Sequence, residues 1–578
     1  MDKKSYCIAW LMLLFVGSLH AQYRTTTYCN PLNLDYTYPF HNSHLGRSYR
    51  SGADPAVVEF RGEYYMFVTR SWGYWHSKDL LNWDFITPEK WYFEGCNAPA
   101  AHNYKDSVLY VCGNPSGAMS ILYTDNPKRG DWKAVPSVLH DLQDPALFID
   151  DDERAYMYWG SSNRWPIRGK ELDMKNKFLP IAKKPDSLLF LRPDIHGWER
   201  FGENHTSDIK PFIEGAWMTK HNGKYYLQYA APGTQFNVYG DGVYVGKSPL
   251  GPFEYAAHNP FCYKPGGFAT GAGHGSTVCG PGGIYWHFGT IHLSINYKFE
   301  RRLCMFPTFF DEDGAMYSDT YFGDYPHYSP DQVSRQTTSG GFRGWMLLSY
   351  GKPVKASSQL ESYPVENVTD ENLKTFWVAE KNDDKQWVEI DLEEVSDVYA
   401  LQLNFFDYEE TGFWGRMPNL RQRYLVEASV DGARWRVLVD YRNSFRDAPH
   451  NYIELDQPIE ARYIRYRHHY VPGKNLAMGD IRVFGLGRGK KPATVKGFTV
   501  VREADERNAR ISWKAVKGAQ GYNVLWGVAL DKLYSSWMVY GDNSLDLRAL
   551  TVGQKYYFAI EAFNENGISQ RVFLREAH

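Results

Sequence analysis

Cysteine is scarce in this 578-residue chain, with seven residues in all, and Cys7 lies in the N-terminal segment. The other six, Cys29, Cys96, Cys112, Cys262, Cys279 and Cys304, form no C-x-x-C pair and no Cys/His cluster of zinc-ligand spacing. A zinc ribbon or finger is therefore excluded as the organising device. An excess of charge of one sign is also missing, since 64 basic side chains stand against 67 acidic ones. A protein that grips nucleic acid through its phosphates shows a basic stripe, so that class is excluded too. After the first 21 residues no apolar run approaches the ~20 residues of a membrane-crossing helix. Helical periodicities are few.

Aromatic residues are abundant, with 19 Trp, 43 Tyr and 32 Phe. Strands favour them, so they fit a β-rich core; some also suit stacking platforms for sugars. Residues 1–21 read as a secretory leader: Lys3 and Lys4, then the apolar CIAWLMLLFVG, then LHA before Gln22. The mature chain is expected to be exported and soluble, periplasmic or extracellular. That compartment permits disulfides, although spacing gives no connectivity, and buried thiols are the alternative reading. The length predicts about three or four domains.

Three acidic residues each open a similar phrase: Asp54 in SGADPAVVEFRGEYYMFV, Asp144 in LQDPALFIDDDERAYMYWG and Glu214 in IEGAWMTKHNGKYYLQYA. An acid, a small residue or Pro, an apolar run, a polar turn and an aromatic strand recur in that order. Asn97 opens a fourth unit without an acid, and GAGHGSTVCGPGGIYWHFG carries His274 near the acid's place. Five such units between residues 24 and 330 suit a five-bladed β-propeller, and its symmetry would bring equivalent acids together. The charge run Asp150 to Glu153 reads as a hairpin tip outside the site. Polar, Gly-rich SRQTTSGGFRG then marks a boundary. A second β-rich domain is expected over 347–486, and a small β-sandwich over 492–578 after the linker GLGRGKKPATV.

With HSKDLLNW, GKSPLGPFE and FFDEDGAMY added to the acid-headed phrases, the first region resembles glycoside hydrolase family 43, the five-bladed propeller glycosidases. The resemblance implies an inverting mechanism with Asp54 as general base, Glu214 as general acid, and Asp144 orienting Glu214 and raising its pKa. It implies that His274 borders a structural calcium, against a packed imidazole as the plain reading. It also implies that Arg301 or Arg302 reaches the substrate, with Arg302 the residue chosen. Trp72 and Trp217 are the chosen pocket walls, and Trp75 is a third candidate.

The second region resembles the discoidin, or coagulation factor five/eight C-type, family through NVTDENLKTFWVAEKNDDKQWVEIDL, YLVEASVDGARW and GDIRVFG. This β-sandwich, a discoidin-like jelly roll, often serves as a carbohydrate-binding module. Trp377 and Trp387 read as its core, and the loop with Trp414 as a binding candidate. Trp513, Tyr522 and LTVGQKYYFAIEAFNENG make the last region resemble fibronectin type III. The whole predicts an all-β, exported, inverting exo-glycosidase acting on terminal furanosyl residues of polysaccharides, α-L-arabinofuranosyl first. β-D-Galactofuranosides and β-D-xylosides are the alternatives within that class, and a non-catalytic glycan-binding protein is the alternative outside it. No cofactor is required for the chemistry, and a polysaccharide or oligosaccharide is the expected partner.

Overall fold

The computed structural model describes residues 25–574 other than 43–45, 90–91, 115–117, 120, 137–138, 141, 183 and 334–339. The expected leader, residues 1–21, lies outside the described residues. Among the described residues the chain is all-β, and its α-helix amounts to the single turn Tyr92–Gly95.

Residues 56–318 build five antiparallel sheets of four or five strands, here I to V, in chain order, besides the small pair Ala118–Met119 with Leu139–His140. Their first strands are Ala56–Phe60, Asn97–Tyr104, Ala146–Ile149, Glu214–His221 and Gly273–Cys279. Each sheet has four strands in its main path, and sheet III carries a fifth. The hairpins follow from local chemistry. In sheet I, β-branched and aromatic AVVEF and EYYMF flank Arg61 and Gly62, at φ 55° and 78°. In sheet IV the turn is Asn222-Gly223, at φ 48° and 74°. Two residues of positive φ in a two-residue loop are the turn whose twist matches paired strands. Tyr64 to Phe67 are all buried, because each sheet packs against a neighbour on both faces. The first strands of successive sheets are neighbours, and the fifth returns to the first, which closes a ring. Thr27–Tyr28 pairs with His327–Tyr328 and ties the two ends of this region together.

Residues 346–486 form one eight-stranded antiparallel system, dominated by the long strands Trp387–Phe405 and His450–Tyr470. Trp377 is fully buried there and donates its indole N–H to the Ser358 carbonyl at 3.0 Å. Trp387 is half-buried at the end of its strand. Residues 496–574 fold as two sheets, of three and five strands. Leu550, Trp513 and Tyr522 are buried between them, and the Tyr556 hydroxyl accepts from the Thr551 N–H at 3.1 Å.

The three regions are fastened by buried and half-buried arginines. Arg50 of the first pairs with Asp407 at 2.9 Å and Asp447 at 2.5 Å in the second. Arg482 of the second, with no exposed surface, pairs with Glu371 at 2.7 Å and donates to the Asp324 carbonyl at 2.6 Å. Arg200 reaches the third region at Asn508 and the Arg548 carbonyl, 2.5 and 2.6 Å away. Cys29, Cys112, Cys262 and Cys304 are buried thiols, and burial raises the pKa of each, to about 12 for Cys29 and Cys112.

Candidate active site

At one end of the ring the chain turns into every first strand through a residue of left-handed backbone. The five are Asp54 (φ 57°), Ala98 (42°), Asp144 (49°), Gly215 (67°) and His274 (50°). Side chains other than Gly, Asn and Asp avoid this region because Cβ crowds the neighbouring carbonyl. Aligned on that turn, Glu214 stands one residue before the place that Asp54 and Asp144 occupy, rather than level with them as the repeat suggests. Gly215 explains the offset. A Cβ at Gly215 would lie 2.9 Å from His274 Cγ, so the turn position must be bare for the imidazole to fit. Sheets II, IV and V also carry register shifts here, at Asn97/Ala100, Glu214/Trp217 and Gly273/Ser276. Such irregularities re-aim side chains at the end of a strand.

The acids converge on His274. Its Nδ1 lies 3.4 Å from Asp54 Oδ1 and 3.9 Å from Asp144 Oδ2. Its backbone is pinned by Asp241, which accepts from the His274 and Gly275 N–H groups at 2.7 and 2.9 Å and pairs with His287 Nε2 at 3.0 Å. Asp54 Oδ2 accepts from the Thr69 hydroxyl at 2.5 Å, and Arg301 Nη1 stands 3.5 Å from Oδ1. Burial pushes the Asp54 pKa up, but His274, Arg301 and Thr69 outweigh it and hold the carboxyl below its usual range. Burial would likewise lower His274, yet Asp54, Asp144, Glu214 and Asp241 together raise it.

Asp144 is the acid pushed the other way. Burial first, then the nearby charges of Glu214 and Asp54, raise it to about 7 against the opposing pull of His274 and a Ser161 hydrogen bond. Glu214 is gripped at both oxygens: Oε1 accepts from the Tyr239 hydroxyl at 2.6 Å and Oε2 from the Ser161 hydroxyl at 3.0 Å. Ser161 thus joins the two carboxyls.

Residues 49–316 match the family model Glycosyl hydrolases family 43, and residues 353–478 match the F5/8 type C domain. The family 43 match takes in the ring of sheets up to the start of its last strand, Met316–Ser318. It includes every acid of the cluster. A "Beta-xylosidase" of Xylanibacter ruminicola is 33% identical over 202 residues, covering 31% of this chain and 57% of that protein. An "Arabinoxylan arabinofuranohydrolase" of Bacillus subtilis (strain 168) is 25% identical over 331 residues, 46% of this chain and 60% of that one. The chain thus spans under two thirds of the length of these curated relatives. A solved thermostable family-43 glycoside hydrolase shares 20% identity over 53% of this chain and 100% of its own, with a TM-score of 0.43.

Of the two adjacent arginines in the family 43 domain, Arg301 reaches the acids and Arg302 does not. Arg302 donates to His450 Nε2 of the F5/8 type C domain at 2.8 Å and to the Arg50 and Arg301 carbonyls at 2.9 Å each. Neighbouring residues of a strand face opposite ways, so Arg301 faces the acids and Arg302 faces the F5/8 type C domain. Trp217 does come to the centre. With Asp54, Asp144 and His274 it lines a cavity of about 10 Å³, at the limit for one water molecule and far too small for a sugar. Trp72 packs against Gly415 of the F5/8 type C domain, where a Cβ would meet the indole at 2.7 Å. Trp75 is packing: it is buried and donates to Asp35 Oδ1 at 2.7 Å.

His274 fits a calcium ion poorly. Asp144, Glu214 and His274 each offer one ligand atom within 4.8 Å of the others, but one of the three is a nitrogen. Calcium takes roughly six to eight oxygens. An imidazole with a raised pKa that faces two carboxylates is a counter-ion, and once protonated it has no lone pair to give. Thr69, Ser161, Tyr239, Asp241 and Arg301 hold the cluster together, and apart from Arg301 none had been singled out beforehand. They lie in no repeated phrase. The faint signal was position, since Thr69 closes the strand that returns beside Asp54.

Proposed function

We propose that the protein is an exported, inverting exo-glycosidase that removes terminal furanosyl residues, α-L-arabinofuranosyl first, from polysaccharide side chains. The observation that carries this reading is the meeting of Asp54, Asp144 and Glu214, from three different sheets, around one imidazole. In this reading the ring of sheets over 24–330 is a five-bladed β-propeller. Residues 347–486 are a carbohydrate-binding-type sandwich. Residues 492–578 are a fibronectin type III-like spacer, supported by the Tyr556 hydroxyl bonded back to Thr551.

Asp54, kept ionised by His274 and Arg301, takes a proton from water as the water oxygen bonds to the anomeric carbon. The bond to the leaving oxygen breaks on the opposite face, and Glu214 delivers a proton to that oxygen. One displacement inverts the anomeric configuration. Asp144, raised to about 7, stands beside Glu214 through their common partner Ser161 and helps to orient it. His274 and Arg301 balance the acids, so no step is routed through a metal; a calcium ion near His274 would have a structural role alone. The relatives' names include a xylosidase, an arabinofuranohydrolase and a β-D-galactofuranosidase, so β-D-xylosides and β-D-galactofuranosides stay as alternative substrates. Export rests on the leader sequence.

Purified protein and Glu214→Ala are assayed on aryl α-L-arabinofuranoside, β-D-galactofuranoside and β-D-xyloside, with the first-formed anomer read by proton NMR. Release of an inverted sugar from one of them, with Glu214→Ala impaired most on substrates with poor leaving groups, is the expected result. A retained anomer, or full activity in Glu214→Ala, refutes the mechanism.

A further inference from the structure

Trp165 is among the most exposed large apolar side chains of the protein, at 63%. Isolated exposed aromatics are common and need no explanation, but this one stands in a loop locked to Glu214. Ser162 and Ile213 exchange both backbone hydrogen bonds at 3.0 Å, and Ile213 is the residue before Glu214. Ser161, one residue earlier, holds Glu214 Oε2. The Ser162 hydroxyl accepts from the Arg164 and Trp165 N–H groups at 2.9 and 3.1 Å, and the Arg168 guanidinium lies 5.3 Å from the indole centroid. The loop is therefore built and the ring is held, while the apolar surface stays open to water. Phe212, 37% exposed, adjoins the same bridge.

Chemistry assigns the side. In a single displacement the general acid stands where the leaving oxygen departs, so the remainder of the polysaccharide lies on the Glu214 side of the scissile bond. We propose that Trp165 is the platform on which the polysaccharide chain bearing the terminal sugar rests, stacking on the first sugar beyond the cleaved bond. This inference rests on the proposed glycosidase reading. It makes Trp165 a determinant of polymer preference, placed by the loop that also holds the acid.

The test uses the full chain with Trp165→Ala and Trp165→Phe, on an aryl α-L-arabinofuranoside and on arabinoxylan, together with calorimetric binding of an unbranched xylo-oligosaccharide. An aryl group is too small to cover the platform that a polymer covers. Trp165→Ala should lose about tenfold more kcat/KM on arabinoxylan than on the aryl glycoside, through KM, as expected for one indole face removed from water. Trp165→Phe should recover most of that difference. Oligosaccharide binding should fall with Trp165→Ala whether or not any substrate turns over. If no substrate is cleaved but this binding loss is seen, the glycosidase reading fails and the platform stands. Equal losses on both substrates would mean that Trp165 acts through Glu214. That outcome, or oligosaccharide binding that is absent from the parent protein or unchanged in Trp165→Ala, overturns the proposal.

Discussion

Gly215→Ala separates two penalties that usually arrive together, because a second glycine of the same sheet supplies the control. Gly215 and Gly223 both have left-handed backbones, at φ 67° and 74°. An alanine in that conformation costs roughly 1–2 kcal/mol at either site. At Gly223 nothing lies within 4 Å of the new Cβ, so the cost ends there. At Gly215 the Cβ would meet His274 Cγ, Cδ2 and Cα at 2.9, 3.0 and 3.1 Å, all under or near the closest approach real Cβ atoms make. The imidazole or the strand start must therefore shift by a few tenths of an ångström or more. Both Glu214 and the partner of Asp54 move with it, and a displacement of about 1 Å in such a site costs about a hundredfold in rate. Thermal unfolding and aryl glycoside hydrolysis are measured on both variants. Gly223→Ala should lose stability and keep its rate, whereas Gly215→Ala should lose more stability and several-fold in kcat, short of the roughly hundredfold that a full 1 Å displacement costs. If the two variants match in both measurements, His274 does not depend on the bare turn and the account of the Glu214 offset is wrong.

Asp144→Asn tests the raised carboxyl. Asp144 titrates at about 7 when folded against 3.8 as its ordinary value, so the stability it brings is complete below ~4 and lost as pH rises to about 7. The variant's stability should fall less steeply over that window, by a few kcal/mol at most across it, while its activity drops. A parallel pH–stability curve would refute the assignment. Arg301→Ala removes a cation that lowers Asp54, so the acidic limb of the pH–kcat/KM profile should move to higher pH, whereas Arg302→Ala should lower stability and leave that limb in place. Exhaustive chelation should leave the hydrolysis rate unchanged; a loss restored by calcium would overturn the counter-ion role of His274. Arg482→Leu strands Glu371, which is 1% exposed at its side chain, and should cost about 3–5 kcal/mol, with partial recovery in Arg482→Leu/Glu371→Leu.

The acids were legible in the sequence because the chain repeats and each stands at the head of a repeat. The repeat did not reveal that Glu214 stands one place early, although the glycine in E-G-A, the residue that takes a left-handed turn most readily, was the signal for it. The choice between Arg301 and Arg302 was illegible for a different reason. A strand sends alternate side chains to opposite faces, and which face meets the site depends on register. Tryptophan was the least readable residue. Trp75, Trp217 and Trp72 share the SWGYW and GAW aromatic texture, yet they serve as packing, as a cavity lining and as a seat for another domain. Tyr239, at the entry to the third strand of Glu214's own sheet, and Ser161, just past the second strand of sheet III, reach Glu214 only through the folded geometry.

Arg50, Arg200, Arg302 and Arg482 make the seams between the three regions into buried ion-pair and hydrogen-bond networks instead of tethers. A module on a flexible linker searches a volume set by linker length and raises the local concentration of its ligand accordingly. A module clamped in this way has one orientation, so any glycan the sandwich grasps is presented to the acids at one angle and one distance. Lengthening the segment between the domains would then gain no reach, and severing it would leave charged guanidinium groups facing water where they were folded to face a partner.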